Sequence, residues 1–206
     1  MLLFAMNEFE QSLVTNMGSY ELDLSSETRA NLSTFYSLLM HWNDRLHLVA
    51  PCSPKEFATR HVLESLLLVK QLPQRAKIAD VGSGGGLPII PCLVARPDLE
   101  ATLIESSQKK AVFLREALNT LGRKSTIVAK PFEHVETPHV SFVTCRALDQ
   151  FISKVSNLID WAPAESTLLL FGGETLREQL NKIHRDFEIF LIPLSNNRFL
   201  FKVLSA

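Results

Sequence analysis

At 206 residues, with 46% hydrophobic and 21% charged residues, the chain has ordinary globular composition and enough length to fill one domain, which excludes a disordered or fibrous polymer. Its net charge of -1 does not announce a nucleic-acid binder, although a local basic patch can be balanced by acids elsewhere. No apolar run reaches the roughly 18 residues of a membrane-spanning helix, so no membrane partner is expected. Residues 1–6 are apolar, but they lack a basic flank and are soon interrupted by Asn7, Glu8 and Glu10, unlike a signal peptide. Cys52, Cys92 and Cys145 form no C-x-x-C pair, which suggests a reducing compartment without a disulfide framework. Cys52 and Cys92 are read as buried structural thiols.

In chain order, the first signal is helical. Leu32, Phe35, Tyr36, Leu38, Leu39 and Trp42 recur at three- and four-residue spacing, with N-cap chemistry at Ser25, Ser26 and Glu27. Trp42 is expected in the core. Pro51 and Pro54 punctuate a turn, and a second helix is predicted over 55–70, with Phe57, Val62, Leu63, Leu66, Leu67 and Val69 favouring one side. From Lys77 onward, strand and helix signals alternate. Strands are predicted at 77–81, 100–105, 125–129, 140–145, 166–171, 187–192 and 199–204, and helices at 87–95, 107–121, 148–160 and 174–184. This alternation predicts an α/β fold with a mostly parallel, seven-stranded sheet covered on both faces. Only 193–197 separate the last two strands, which permits an antiparallel hairpin and forbids a helical crossover. The expected organisation is an N-terminal helical extension, 1–72, packed on a core of 73–206.

The densest chemical signal is the run Ile78-Ala79-Asp80-Val81-Gly82-Ser83-Gly84-Gly85-Gly86-Leu87. A short apolar strand runs into a loop with glycine at alternate positions, Gly82, Gly84 and Gly86, and then into a helix. That order is how a Rossmann-type sheet brings backbone close to a nucleotide-like ligand. Leu87 stands where a dinucleotide fingerprint wants its third glycine. The departure argues against NAD and toward S-adenosylmethionine, which has no pyrophosphate to seat on a helix N-terminus. Glu105 ends the next predicted strand, where a carboxylate can accept both ribose hydroxyls of an adenosine ligand.

Several separated motifs then resemble one family. They are Trp42-Asn43-Asp44-Arg45-Leu46-His47-Leu48, Arg60-His61-Val62-Leu63-Glu64-Ser65-Leu66, the glycine loop with Leu87-Pro88, Arg96-Pro97-Asp98, Leu103-Ile104-Glu105-Ser106, the basic stretch 110–115, and Cys145-Arg146-Ala147. Together they resemble the bacterial small-subunit rRNA guanine-N7 methyltransferases, also called the glucose-inhibited division protein B family. The resemblance covers roughly residues 30 to 150 and thins toward the C-terminal hairpin. It implies a Rossmann-like class I methyltransferase fold. It also implies a cytoplasmic enzyme that methylates N7 of a guanine in 16S rRNA with S-adenosylmethionine as cofactor. Carried over by position, it nominates Gly82, Leu87, Phe132, Glu133 and Arg146 as cofactor contacts. Ile89 departs from a usual glycine, Ser107-Gln108-Lys109 from a more usual Leu-Gly-Lys, and Leu148 from a usual phenylalanine. Phe171-Gly172-Gly173 lacks a lysine common there.

Guanine N7 carries an in-plane lone pair and needs no deprotonation, so the expected mechanism rests on positioning, with no catalytic nucleophile, general base or metal. Arg146 is the candidate for orienting substrate or cofactor. Arg60 and His61 are candidates for the mouth of the site. Lys109, Lys110, Arg115, Arg123, Lys124 and Lys130 are candidates for an RNA phosphate patch, with solvated helix charges as the competing reading. The expected partner is 16S rRNA, free or within the small ribosomal subunit, and the expected state is a monomer. Two other readings stay open: a methyltransferase for a small molecule or protein, and a non-catalytic adenosyl-ligand binding protein. An NAD-dependent oxidoreductase is disfavoured by Leu87.

Overall fold

A computed structural model describes residues 2–146 and 151–204. Seven strands form one sheet in the order β3-β2-β1-β4-β5-β7-β6. They are β1 (Lys77–Val81), β2 (Glu100–Ile104), β3 (Thr126–Val128), β4 (Phe142–Arg146), β5 (Thr167–Gly172), β6 (Phe187–Leu191) and β7 (Phe199–Leu204). β1 to β5 pair in parallel, and β7 runs antiparallel to both β5 and β6. β1 and β7 have the predicted bounds, and the other five strands shift at their ends by a residue or two.

The helices are α1 (Leu2–Asn16), α2 (Ser26–Leu46), α5 (Ile89–Ala95), α6 (Gln108–Thr120), α7 (Phe151–Trp161) and α8 (Glu174–Lys182), with a helical run over 54–70 between α2 and β1. Ser25 caps α2, its side chain accepting from the Thr28 amide, and Ser107 caps α6 through the Lys110 amide. The predicted helix over 148–160 begins outside the described residues, as does Leu148. Two features depart from expectation. α1 carried no prediction because it lacks an acidic first turn and a basic last turn, the charges that mark helix ends. Tertiary packing holds it: Phe9 and Leu13 are fully buried, and Phe9 stacks on Tyr36 at 4.6 Å. The 54–70 run is also not uniform. It passes from α3 (Pro54–Glu56) through a π-helical segment (Phe57–Leu63) to α4 (Glu64–Leu66) and a 3-10 turn (Leu67–Lys70).

Strand alternation sorts the core into two layers. Ile78, Leu103, Leu169 and Leu200 face one cluster, which also contains Phe9, Leu32, Phe35, Phe57 and Leu66 of the N-terminal helices. Ala79, Val81, Leu168, Leu170 and Phe201 face the other, covered by Val155, Leu158, Leu176 and Leu180 of α7 and α8. Strand order reverses between β1 and β4, and ligands of open α/β sheets bind outside the carboxyl ends of the strands at such a point.

Candidate functional site

The glycine loop leaves β1 at that reversal. Gly82, Gly84 and Gly86 have φ of 74°, 50° and 75°, a region that side chains with a Cβ rarely enter. The amides of Gly82 and Ser83 donate back to the Ile104 carbonyl at 2.8 and 3.2 Å, which ties the loop to the end of β2. Glu105 follows immediately and is 6% exposed. Its Oε2 accepts from the Gly84 amide at 2.8 Å and its Oε1 from the Ser107 amide at 2.7 Å. The carboxylate is therefore fixed by two main-chain donors before any ligand arrives, and each oxygen keeps lone-pair capacity for a hydroxyl.

A cleft of about 650 Å³ opens over this loop, within the size range of small-ligand sites. Its lining brings together Gly82, Gly84, Leu87, Glu105, Phe132, Glu133 and Arg146 of the nominated cofactor residues, with His61, Lys110 and Lys130 from the RNA-binding candidates. Lys154 of α7, which carried no prediction, joins them. Its ammonium lies 3.0 Å from Glu133 Oε1 and 5.9 Å from the centre of the Phe132 ring. Leu48, Val49 and Ala50 complete the wall beyond α2. The lining thus offers a hydrogen-bond-accepting carboxylate, an aromatic ring and half-buried glycine backbone.

Arg146, the candidate for orienting substrate or cofactor, is tied into the protein by several bonds behind the cleft. The side chain is 14% exposed and lies 3.2 Å from Oε2 of Glu64, itself 1% exposed. It also donates to the Arg60 carbonyl at 2.6 Å and to Ser65 Oγ at 3.4 Å, and covers the Phe171 ring at 5.4 Å. Glu64 in turn accepts two bonds from Arg198, at 3.0 and 2.6 Å. The carboxylate that offsets Arg146 thus comes from the protein itself. Neither Glu64 nor Arg198 was nominated; the only signal was that Glu64 sits beside Arg60 and His61 in one motif. Burial, followed by the charges of Arg146, Arg60 and Arg198, pushes His61 down to about 3, so the cleft presents a neutral imidazole.

Other candidates fall elsewhere. Gly86 is outside the lining. A Cβ there would come within 2.4 Å of Ile90 Cδ1, so its place is close packing of the loop on α5. Arg60 turns outward to Glu56 at 2.7 Å and gives the site only its carbonyl. Of the basic cluster, Lys110 and Lys130 line the cleft and the other four residues do not. Lys109, Arg115 and Lys124 are exposed away from the cleft, while Arg123 is half-buried and donates to the Val94 carbonyl at 3.4 Å. Spacing on a helix explains the dispersal, because Lys109, Lys110 and Arg115 point in three directions around α6. Trp42 is half-buried at the margin of the core, edge-on to Phe113 and bonded to Glu116 Oε1 at 3.2 Å. Cys92 is buried as expected, whereas Cys52 is only half-buried; Cys145, for which no burial was predicted, is buried.

Asp80, the penultimate residue of β1 before the loop, is 1% exposed, and neither carboxylate oxygen has a hydrogen-bond partner. Burial raises its pKa to about 7. Among the described residues, no group of three or more His, Cys, Asp or Glu is arranged to hold a metal ion, and no helix is long and apolar enough to cross a membrane.

Comparison with known proteins agrees with this geometry. The family model described as rRNA small subunit methyltransferase G matches residues 28–199. The ribosomal RNA small subunit methyltransferase G of Gluconobacter oxydans is 33% identical over 170 residues, 81% of this chain and 86% of the relative. That of a Ruegeria species is 36% identical over 149 residues, 70% of this chain and 71% of the relative. The fold is also that of a SAM-dependent methyltransferase from Aquifex aeolicus, with a TM-score of 0.58 at 13% identity, over 73% of this chain and 93% of that one. With most of its length matched by the family model and by relatives above 30% identity, the chain belongs to the rRNA small subunit methyltransferase G family.

Proposed function

We propose that this chain transfers a methyl group from S-adenosylmethionine to N7 of a guanine in 16S rRNA, in the cytoplasm and as a single chain. Membership of the family supports the reaction and the class of substrate. The observation that carries the cofactor reading is Glu105, a carboxylate pinned by two backbone amides at the ligand-binding edge of the sheet. In this reading Glu105 accepts the ribose hydroxyls, the Phe132 ring flanks the adenine, and the main chain of Gly82 and Gly84 lets the ligand approach without a Cβ in its path. When bound, S-adenosylmethionine supplies an electrophilic methyl group on a sulfonium.

The protein's remaining task is alignment. N7 attacks with a lone pair it already holds, so no side chain has to remove a proton beforehand, and the rate depends on holding the reacting atoms in line and excluding water. Arg146 and His61 line the same cleft as Phe132 and Lys154. There they meet the base or its phosphate after the nucleotide has left its stack, as enzymes that act on bases generally require. Lys110 and Lys130 stand at the rim as phosphate contacts.

The test is methylation of 16S rRNA from a strain lacking this protein, using S-adenosylmethionine with a labelled methyl group and mass-spectrometric mapping of N7-methylguanosine. Naked rRNA and isolated small subunits are run in parallel to learn which form is the substrate. Label on one guanine is the expected result. Label on protein, on a small molecule, or nowhere despite tight cofactor binding would replace the proposal with one of its rivals.

A further inference from the structure

Glu64 does not line the cleft, yet it is the hub of the charges behind it. Oε2 faces Arg146 Nη2 at 3.2 Å, while Oε1 takes Nε and Nη2 of Arg198 at 3.0 and 2.6 Å. The three residues come from the 54–70 run, the end of β4 and the link entering β7, so no local element brings them together. A buried carboxylate loses its hydration, and exchanging a buried ion cluster for apolar side chains of similar size is often neutral or stabilising. Stability alone therefore gives a weak account of why Glu64 is acidic. Its geometry gives a better one. Arg146 is held by the Glu64 carboxylate and by the Arg60 carbonyl at 2.6 Å, with Ser65 Oγ at 3.4 Å. Arg60 lies within the π-helical segment, where the shift from i+4 to i+5 bonding reorients main-chain carbonyls and where functional sites are often found. A guanidinium is planar and its donors diverge in fixed directions. Held by these acceptors through both Nη1 and Nη2, the guanidinium is fixed in one orientation where it lines the cleft.

We propose that Glu64 is a positioning residue for methyl transfer: it fixes the Arg146 guanidinium at the cleft wall, with Arg198 anchoring Glu64 from behind, so that Arg146 meets the RNA substrate without reorganising. This rests on the rRNA methyl-transfer reading above. Wild-type activity on 16S rRNA is accordingly measured first, and its absence would strike that reading rather than this one. Given an active enzyme, kcat and KM for rRNA and the Kd for S-adenosylmethionine are compared in wild type, Glu64→Gln, Arg146→Lys and the double variant.

Glu64→Gln is expected to lower kcat/KM for rRNA by about tenfold, within the range of coupled neighbours. The cofactor Kd is expected to stay within about twofold, and adding Glu64→Gln to Arg146→Lys should cost less than about twofold more. Equal losses in both backgrounds, a parallel loss of cofactor affinity, or unchanged turnover would overturn the proposal. Should Glu64→Gln fail to fold, Arg198→Gln removes the anchor at a side chain that is one-third exposed. It is expected to lower kcat/KM for rRNA in wild type but not in Arg146→Lys, and wild-type turnover in Arg198→Gln would overturn the assignment.

Discussion

Two carboxylates near the glycine loop differ in what holds them, and their predicted behaviour differs accordingly. Glu105 has two main-chain donors and faces the cleft. Glu105→Ala is expected to weaken S-adenosylmethionine binding by roughly 1.5–3 kcal/mol, the worth of hydrogen bonds to a charged group; calorimetry on the folded variant measures it, and unchanged affinity would remove the assignment. Asp80 has no such donors, and its pKa rises from 3.8 to about 7. The folded state then holds the proton more tightly than the unfolded chain does. The stabilisation is fully present below about pH 4 and is lost as pH rises through about 7, at up to about 1.4 kcal/mol per unit. Asp80→Asn should flatten that slope and melt higher than the parent above pH 7, as thermal unfolding across pH would show. His61, pushed down to about 3, acts in the opposite sense, losing stability as pH falls below the unfolded value, so the two slopes partly cancel in the parent. At this scale the position of Glu105 at the end of β2 was legible, because a strand-end carboxylate after a glycine loop is a local pattern. It was silent on Glu64 and Arg198, which lie 134 positions apart and meet only once the sheet is assembled.

Among the elements, those with strong local periodicity were legible. β1, β2, α5 and α6 appear within a residue or two of their predicted bounds, since the alternation of strand and helix signals is written in neighbouring residues. α1 was not legible because its ends carry no charge or cap signal, and the π-helical segment was not because a π turn has the same composition as an α turn. The basic residues show the limit of counting charges along a chain. Of the six grouped as one patch, only Lys110 and Lys130 reach the cleft. Lys110→Ala and Lys130→Ala are each expected to reduce the slope of log affinity for RNA against log salt by about 0.7–0.9, while Lys109→Ala, Arg115→Ala and Lys124→Ala leave it unchanged. Binding measured from low to moderate salt decides this, and equal effects at all five positions would restore the single patch.

For the molecule as a whole, the division into 1–72 and 73–206 is one of sequence pattern, and we propose that the two parts fold as one unit. Phe9, Leu32, Phe35, Phe57 and Leu66 share a cluster with Ile78, Leu103 and Phe113, so removing the N-terminal part would strip one face of the sheet. A fragment of 73–206 is expected to show no cooperative thermal transition and to bind apolar dyes, whereas the full chain gives one transition; a fragment that melts sharply would establish an independent domain.

The placement of β7 between β5 and β6 bears on how the chain is made. β6 leaves the ribosome first, but its only neighbour in the sheet is β7. Until that last strand emerges, on the order of a second later at ordinary translation rates, Phe187–Leu191 has no backbone partner and β5 has a bare edge. Arg198 arrives at the threshold of the same strand, and with it the second guanidinium of Glu64. Pairing of β7 thus covers β5 and β6 and brings Arg198 to Glu64 in one step. A chain halted before Phe199 would emerge with an open β-edge that invites aggregation and with Glu64 held by Arg146 but not by Arg198.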